Sequence, residues 1–279
     1  MANANGWGDG ASNNNIGWGK GADNAIGWGD IHADSYAGLT DIVGTASFSN
    51  TKSILLDGID DFVDCSDNDN LSFGDSVSDS PFSISAWIKF DNTGSRQGIV
   101  AKFNAPNYFE YTFFLESDNT LKGYLFDVPS TNIRGKASTV ITTGVWNYVT
   151  FTYDGQGGST AYNGMKIYLN GVDVSSSNVT LNTYTAMHNT SASLKIGQYY
   201  GNYAIGNIDE VSIFNTELSA SDVTTIYNGG VPNDISSLSP VSWWRCGDGD
   251  TSPTLTDNGS GGNDGTMTNF STFSTDVPT

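Results

Sequence analysis

The sequence has 279 residues and a net charge of −19, from 30 aspartates and glutamates against 11 lysines and arginines. Such an acidic surface repels nucleic acid and anionic membranes, so neither is expected as a partner, and solubility in a salty medium is the simpler interpretation of the charge. No stretch approaches the roughly 20 apolar residues of a membrane-spanning helix, so membrane insertion is not expected. Only four of the acidic residues are glutamate. Because turns favour aspartate and asparagine whereas helical surfaces favour glutamate, this predicts β structure with many loops.

Residues 1–46 form a segment of their own, built around Gly-Trp-Gly units at Trp7, Trp18 and Trp28 that repeat at steps of 11 and 10 residues. Each unit has too few apolar side chains for a core, and short repeats of this kind become stable by stacking on other chains. A glycine-rich linker is the alternative, but linkers seldom carry regularly spaced tryptophans. The segment resembles N-terminal repeats of bacteriophage virion proteins. That resemblance implies docking onto other virion proteins and a homo-oligomer.

Short alternating segments separated by turn residues come next. We predict strands near positions 53–57, 61–65, 82–90, 97–102, 109–117, 121–127, 131–135, 146–153, 165–170, 193–197 and 208–215. The period then changes, with Val223, Ile226 and Tyr227 at helical spacing, which predicts one short amphipathic helix. Ser219 is its expected N-cap, and Asp222 lies in its first turn. Many short strands with one late helix are typical of a two-sheet antiparallel sandwich.

Three parts of the sequence, in this order, resemble one family. They are residues 56–63 with 82–88, residues 145–154 with 165–171, and residues 206–227. They resemble the laminin-G-like and pentraxin-like domains of the concanavalin A-like jelly rolls, over roughly residues 47–230. The resemblance implies an all-β fold: a two-sheet antiparallel jelly-roll sandwich with one short helix, preceded here by an extended repeat segment. It does not imply a function, because such folds carry many unrelated sites.

The C-terminal segment 240–279 is out of the usual order. Its Val-Ser-Trp-Trp-Arg run at 241–245 and its Asn/Gly-rich loop look like the element that opens a laminin-G-like domain. Either the domain is circularly arranged and this segment closes it, or a second domain was cut short. We favour closure, because a sandwich without this strand would expose an edge. We therefore predict a docking segment at 1–46 and a jelly roll at 47–279, with run 241–245 paired to strand 208–214 and Trp243 or Trp244 buried.

Catalytic signatures are missing from the sequence. Concanavalin A-like glucanases carry E-x-D-x-x-E on one strand, which supplies the two carboxylates of glycoside cleavage. Here Glu110 and Glu116 are six residues apart with no aspartate between them, and the two histidines fit no nucleophile or metal pattern. We therefore predict a protein that is not an enzyme. Cys65 and Cys246 are too few for a disulfide framework, and two buried thiols are expected rather than a bridge.

Calcium is the cofactor that the family resemblance implies. Such domains often hold Ca²⁺ at one edge of the sandwich through aspartate side chains and backbone carbonyls, which are hard oxygen ligands. By resemblance the candidate ligands are Asp57, Asp209 and Asp257. The alternative is that these side chains only stabilise turns by accepting hydrogen bonds from backbone amides.

Glycan binding is suggested by aromatic and amide side chains that cluster in predicted loops. Sugars stack on exposed aromatic rings and form hydrogen bonds with asparagine and aspartate. One cluster consists of Tyr199, Tyr200, Asn202 and Tyr203, and a second of Asn107 and Tyr108. The alternative is that these tyrosines pack beneath their loops.

Taken together, these features favour a non-enzymatic bacteriophage virion protein, a head or tail fibre or decoration protein that displays a lectin-like domain for host glycans. The N-terminus lacks the basic and apolar regions of a signal peptide, which fits synthesis in a host cytoplasm and a place in the virion. The main alternative is a secreted carbohydrate-binding module or adhesin. A hydrolase is a remote third hypothesis.

Overall fold

Two large antiparallel sheets make up most of the computed structural model, which describes residues 48–104, 106, 108–127 and 132–279. These residues form nineteen strands and one α-helix, α1 (Ala220–Tyr227). In chain order the strands are β1 (Ser53–Asp57), β2 (Phe62–Asp64), β3 (Phe82–Phe90), β4 (Gln97–Asn104), β5 (Tyr108–Leu115), β6 (Thr120–Asp127), β7 (Asn132–Val140), β8 (Asn147–Tyr153), β9 (Met165–Leu169), β10 (Val172–Asp173), β11 (Ser175–Leu181), β12 (Leu194–Ile196), β13 (Gln198–Tyr199), β14 (Asn202–Tyr203), β15 (Ile205–Phe214), β16 (Ser242–Trp244), β17 (Thr254–Leu255), β18 (Gly265–Thr268) and β19 (Phe273–Ser274).

The strands divide between the two sheets in a jelly-roll arrangement. Sheet I has the order β10-β9-β8-β3-β15-β1-β19, with β16 also paired to β15. Sheet II has the order β11-β7-β6-β5-β4-β12-β2-β18-β17, and β13 and β14 form a separate hairpin. The predicted all-β sandwich with one short helix is confirmed. Ser49–Thr279 forms one compact unit.

The core lies between the sheets and is rich in aromatic rings. Phe82 and Phe151 come from sheet I and meet Tyr111 and Phe113 of sheet II, with centroid distances of 4.9 Å for Phe82–Tyr111 and 5.9 Å for Phe113–Phe151. All four side chains are fully buried. Burying each contributes about 2 kcal/mol relative to exposure, so this layer stabilises the contact between the sheets.

Strand β15 is the centre of sheet I and receives the C-terminal segment. β3 lies along one side of it, while β1 and then β16 share the other. Trp244 pairs with Val211 in register, and Trp243 and Trp244 are 5% and 0% exposed. The predicted pairing of run 241–245 with this strand and the burial of its tryptophans are therefore confirmed.

Helix α1 begins as its sequence predicts, at the N-cap Ser219. The Ser219 hydroxyl accepts from the backbone N–H of Asp222, whose carboxylate accepts from the Ser219 N–H, and together these bonds form a capping box. At the other end of the helix, Tyr227 packs on the rings of Trp87 and Tyr148 of sheet I, with centroids 5.9 Å and 6.1 Å away. The helix therefore covers part of the outer face of sheet I.

Two smaller observations complete the fold. Cys65 and Cys246 are both free and buried, as the sequence predicts. Within the described residues, no helix combines the length and the apolar character needed to cross a membrane.

Candidate functional site

The best candidate site is an open depression beside the β13–β14 hairpin. Its volume is about 300 Å³, and it lies where β4 ends and β12 passes the hairpin. We call it the Tyr200 depression; its lining residues are Phe103, Asn104, Lys195, Gln198, Tyr200 and Gly201.

The hairpin turn holds Tyr200 out toward solvent. Gln198 pairs with Tyr203 and Tyr199 with Asn202, so Tyr200 and Gly201 form a two-residue turn. Both have positive φ, 54° and 72°, as a type I′ turn requires. The Asn202 side-chain amide donates to the carbonyls of Tyr199 and Tyr200, which fixes the turn. Tyr200 is 60% exposed as a result.

A close approach of the backbone seats the hairpin on sheet II. Gly98 of β4 faces the backbone of Gln198 and Tyr199, and a Cβ at position 98 would lie 2.4 Å from the carbonyl carbon of Gln198. Only glycine leaves room for this contact. The hairpin therefore lies against β4, and Tyr200 is placed near Phe103, with ring centroids 5.5 Å apart.

Tyr199 supports the hairpin from below instead of facing solvent. It is 5% exposed and packs on Phe103 and Phe114, with centroid distances of 5.0 Å and 4.9 Å. The Arg96 guanidinium lies 5.5 Å from its ring centroid. Burial raises the pKa of Tyr199 well above its usual range. Of the two neighbouring tyrosines, only Tyr200 presents its ring at the surface.

The polar groups around the depression form no hydrogen bond or ion pair with the part of the chain that the structure describes. Within the described residues, the side chains of Asn104, Gln198 and Lys195 and the hydroxyl of Tyr200 have no hydrogen-bond or ion-pair partner. The Lys195 ammonium makes only a cation–π contact, 4.9 Å from the Phe62 ring centroid. An exposed ring beside unpaired donors and acceptors is the usual composition of a small-ligand site.

The structure brings Tyr108, from the second predicted glycan cluster, to the same end of sheet II as the Tyr200 depression. Tyr108 pairs with Asn104 across β4 and β5, and Asn104 lines the Tyr200 depression. Tyr108 is 44% exposed. Tyr203 is half-buried and packs on Phe62, at a centroid distance of 6.2 Å. Asn107 lies outside the described residues, as do the predicted docking residues Trp7, Trp18 and Trp28.

A larger depression elsewhere is a weaker candidate. It has a volume of about 540 Å³ and is lined by loop residues, among them Asn70, Phe73 and Gly261. Its one aromatic ring, Phe73, is only 3% exposed, and the Asn70 amide already bonds the Gly261 carbonyl and the Asn263 side chain. It therefore offers no exposed ring on which a sugar could stack.

The three predicted calcium ligands lie in separate hydrogen-bond networks. Asp57 pairs with Ile205, and Asp209 lies four residues further along β15, so the two are about 13 Å apart along the strands. Asp209 is fully buried and accepts from Asn50 and from the backbone N–H of Glu210, while burial raises its pKa. The structure does not join these aspartates into one site.

Asp257 has a structural role in the C-terminal loop. Its carboxylate accepts from the backbone N–H groups of Trp243, Gly259 and Asn263, each at 2.8 Å. These bonds tie the loop to β16, so neither Asp257 nor Asp209 fits an open calcium site.

Asp57 fits a cation better than the other two. Its carboxylate lies in a turn with those of Asp60 and Asp61, with one oxygen of each within 4.8 Å of the others. Asp57 also accepts from the backbone N–H of Ile59 at 2.8 Å, which is the bond expected of a turn aspartate. If the family's calcium binds this chain, Asp57, Asp60 and Asp61 are the residues that would hold it.

Sequence reasoning missed Phe103, Asn104, Lys195 and Gln198. The signal for Lys195 was present, because it alternates with Leu194 and Ile196, which are buried in the core. Alternation places Lys195 on the outer face of its strand. What the sequence does not show is that the hairpin folds over this face and makes one wall of a depression.

The comparisons with known proteins agree on the fold. Residues 57–224 match the family model described as the concanavalin A-like lectin/glucanases superfamily. Among curated proteins, none matches this sequence significantly. A Bacteroides ovatus protein described as carbohydrate-binding is similar in structure, with a TM-score of 0.53, 16% identity and coverage of 83% of this chain and 62% of that one. This chain thus spans less than two thirds of that protein's length.

Two other solved structures are similar over smaller parts of the chain. The CBM40 domain of the Ruminococcus gnavus IT-sialidase, bound to α2,3-sialyllactose, has a TM-score of 0.46, 12% identity and coverage of 65% of this chain and 100% of that one. A heptameric pentraxin from Limulus polyphemus has a TM-score of 0.37, 17% identity and coverage of 63% of this chain and 86% of that one. At 16% identity, the likeness to the Bacteroides ovatus protein establishes the fold alone. With the family match over more than half of its length, the chain belongs to the concanavalin A-like lectin/glucanases superfamily.

Proposed function

We propose that the chain is a non-catalytic carbohydrate-binding protein that holds a sugar in the Tyr200 depression. The observation that carries the proposal is the exposed Tyr200 ring beside three side chains with no hydrogen-bond or ion-pair partner in the described residues, Asn104, Gln198 and Lys195. A sugar ring stacks on the tyrosine face, and its hydroxyls bond the two amides. The similarity of fold to a Bacteroides ovatus protein described as carbohydrate-binding supports this by analogy.

Among the described residues, no carboxyl group lines the depression, which supports a role without catalysis. Glycoside cleavage needs two carboxyl groups facing one bond, one of them free to give up a proton. Here every glutamate lies within 4 Å of a basic side chain; the pairs are Glu110–Lys102, Glu116–Arg96, Glu210–Arg245 and Glu217–Lys166. None of the four lines the depression.

The test of glycan binding is a glycan array followed by calorimetry on the oligosaccharides that bind. Tyr200→Ala removes the stacking surface and should reduce affinity by about 5- to 150-fold, if the stacked sugar contributes the roughly 1 to 3 kcal/mol of a base stacked on an aromatic side chain. Leu181→Ala is the matched control, because Leu181 is 48% exposed on β11, at the far edge of the same sheet. Equal affinity of both variants would reject the depression as the site.

We further propose that the N-terminal segment docks this domain onto a virion. The observation that favours it is the spacing of Trp7, Trp18 and Trp28 at steps of 11 and 10 residues. Regular tryptophans in a segment without a core of its own suit stacking on a larger assembly. Immunogold labelling of virus particles with an antibody to residues 48–279 tests this role. Labelling of a secreted fraction instead of particles would favour the alternative of a secreted adhesin or carbohydrate-binding module.

A further inference from the structure

Among the described residues that line the Tyr200 depression, Lys195 is the one that carries a charge. The protein has 30 acidic residues, and four other lysines form ion pairs with some of them. The distance from the ammonium nitrogen to a carboxylate oxygen is 2.5–3.5 Å in these pairs, which involve Lys89, Lys102, Lys122 and Lys166. The Lys195 ammonium has no carboxylate within ion-pair distance among the described residues. The described lining of the depression therefore carries one positive charge and no acidic side chain, on a strongly acidic protein.

The position of the ammonium follows from the strand register. Lys195 lies between Ala101 of β4 and Asp64 of β2, on the outer face of sheet II. Its stem runs toward Phe62, and the ammonium lies 4.9 Å from that ring's centroid. The nearest acid by register is Asp64, which accepts at 2.8 Å from the backbone N–H of Ser66 in its own turn. Asp64 is thus engaged locally, and the ammonium is left for a ligand.

We propose that the Tyr200 depression binds an anionic saccharide, whose carboxylate or sulfate group accepts hydrogen bonds from the Lys195 ammonium. The sugar ring lies on Tyr200, and its hydroxyls face the amides of Asn104 and Gln198. This inference rests on the proposed glycan-binding function and adds the class of sugar. A neutral sugar would leave the ammonium without a partner of opposite charge. An anionic sugar adds a charge-assisted hydrogen bond.

The test uses an array of matched pairs: oligogalacturonates beside their methyl esters, and sulfated galactan oligosaccharides beside their desulfated forms. The wild-type chain should bind the anionic member of at least one kind of pair about fivefold more tightly, as expected for a partly exposed ion pair. The preference should shrink in high salt, which screens an exposed charge pair. The two kinds of pair distinguish a carboxylate ligand from a sulfate ligand.

Three variants separate the inference from the function on which it rests. Lys195→Gln should abolish the preference for the anionic member of a pair, and Lys195→Arg should retain it. Lys136→Gln removes the same charge from β7, where Lys136 bonds Asn178 at 2.6 Å outside the depression, and should behave as wild type.

The outcomes that overturn each claim differ. Equal affinity for both members of every pair, or a preference that survives Lys195→Gln, overturns the anionic class and leaves glycan binding in place. Absence of binding to any glycan, or binding that Tyr200→Ala does not weaken, overturns the proposed function and this inference with it.

Discussion

Glu210 lies almost buried in sheet I, where its carboxylate accepts hydrogen bonds from the Trp243 indole and the Arg245 guanidinium. Burial raises its pKa from 4.5 to about 7, against the lowering effect of Arg245. A raised carboxyl pKa means that the folded state binds a proton that the unfolded state has already released. The free energy of unfolding should therefore fall as the pH rises from 4.5 to about 7.

Glu210→Gln should flatten this pH dependence, measured by urea unfolding below pH 4.5 and above pH 7. Some slope of the same sign should remain, because burial also raises the pKa of Asp79, Glu110 and Asp209. Glu217→Gln is the control, since it removes a carboxylate from an exposed pair with Lys166. A slope that both variants reduce equally would mean that net charge, and not burial, sets the pH dependence.

Calcium stays a prediction, and Asp60 is the residue on which to test it. The Asp60 side chain accepts no hydrogen bond within the described residues, whereas Asp57 holds its turn and Asp209 is buried, so Asp60→Asn disturbs the fold least. Calcium at a hundredfold excess over its Kd would add about 2.7 kcal/mol, or roughly 5–10 °C in Tm. Chelator should lower the Tm of the wild type by this amount and leave Asp60→Asn unchanged. A wild-type Tm indifferent to chelator would count against calcium at this turn.

Only part of the candidate site is predictable at the level of residues. Tyrosines and asparagines in one loop indicate a surface for sugars, yet Tyr199 is buried and Tyr200 is exposed. The difference comes from a turn with two positive φ values and from the close approach at Gly98. Both are tertiary features, and a Tyr-Tyr-Gly sequence alone does not reveal which ring faces solvent.

At the level of elements, alternation predicts the long apolar strands, but the polar strand β11 and the two-residue strands β13 and β14 were missed. β3 and β8 were predicted to within a residue, because buried apolar side chains recur along both. β11 has the sequence Ser-Ser-Ser-Asn-Val-Thr-Leu and lies at the exposed edge of sheet II, so it has no apolar face to recognise. β13 and β14 have two residues each, which is too short for an alternating pattern to show in the sequence. The turn between them holds them together.

The C-terminal segment supplies strands to both sheets, which makes its deletion a severe change. β16 and β19 belong to sheet I, whereas β17 and β18 belong to sheet II. Removing residues 240–279 exposes β15 and β2 and takes out Trp244, which is fully buried and donates to the Asn263 carbonyl at 2.8 Å. The cost should exceed the roughly 3–5 kcal/mol of a buried tryptophan-to-alanine change, so the truncated chain should unfold or aggregate.

Trp244→Ala and Trp244→Phe remove part of the same buried volume without removing a strand, so each should lower the stability of the fold by a smaller amount. Thermal melting should order them as wild type, Trp244→Phe, Trp244→Ala and truncation, from most to least stable. A truncated chain that stays soluble with the wild-type Tm would show that the segment is not needed to close the fold.

At the level of the whole molecule, we propose that two parts of the chain have different functions. The jelly roll carries a candidate sugar site, and residues 1–46 carry the predicted docking repeats, which lie outside the described residues. If each part works alone, changes to the repeats should leave glycan affinity and domain stability unchanged. Changes at Tyr200 should leave assembly unchanged in turn.

Replacing Trp7, Trp18 and Trp28 together by serine in the full chain tests this division. The repeats provide few other large apolar side chains, so the variant should lose the surface through which copies or virion proteins stack. Light scattering after size exclusion should show a wild-type oligomer and a monomeric variant, with equal Tm of the jelly roll and equal glycan affinity. Substituting Asn13, Asn14 and Asn24 by serine alters the same segment and keeps its tryptophans, so this control should assemble as wild type. If the tryptophan variant forms the same oligomer and joins particles as well as the wild type does, docking does not depend on these residues, and the N-terminal segment is better described as a linker.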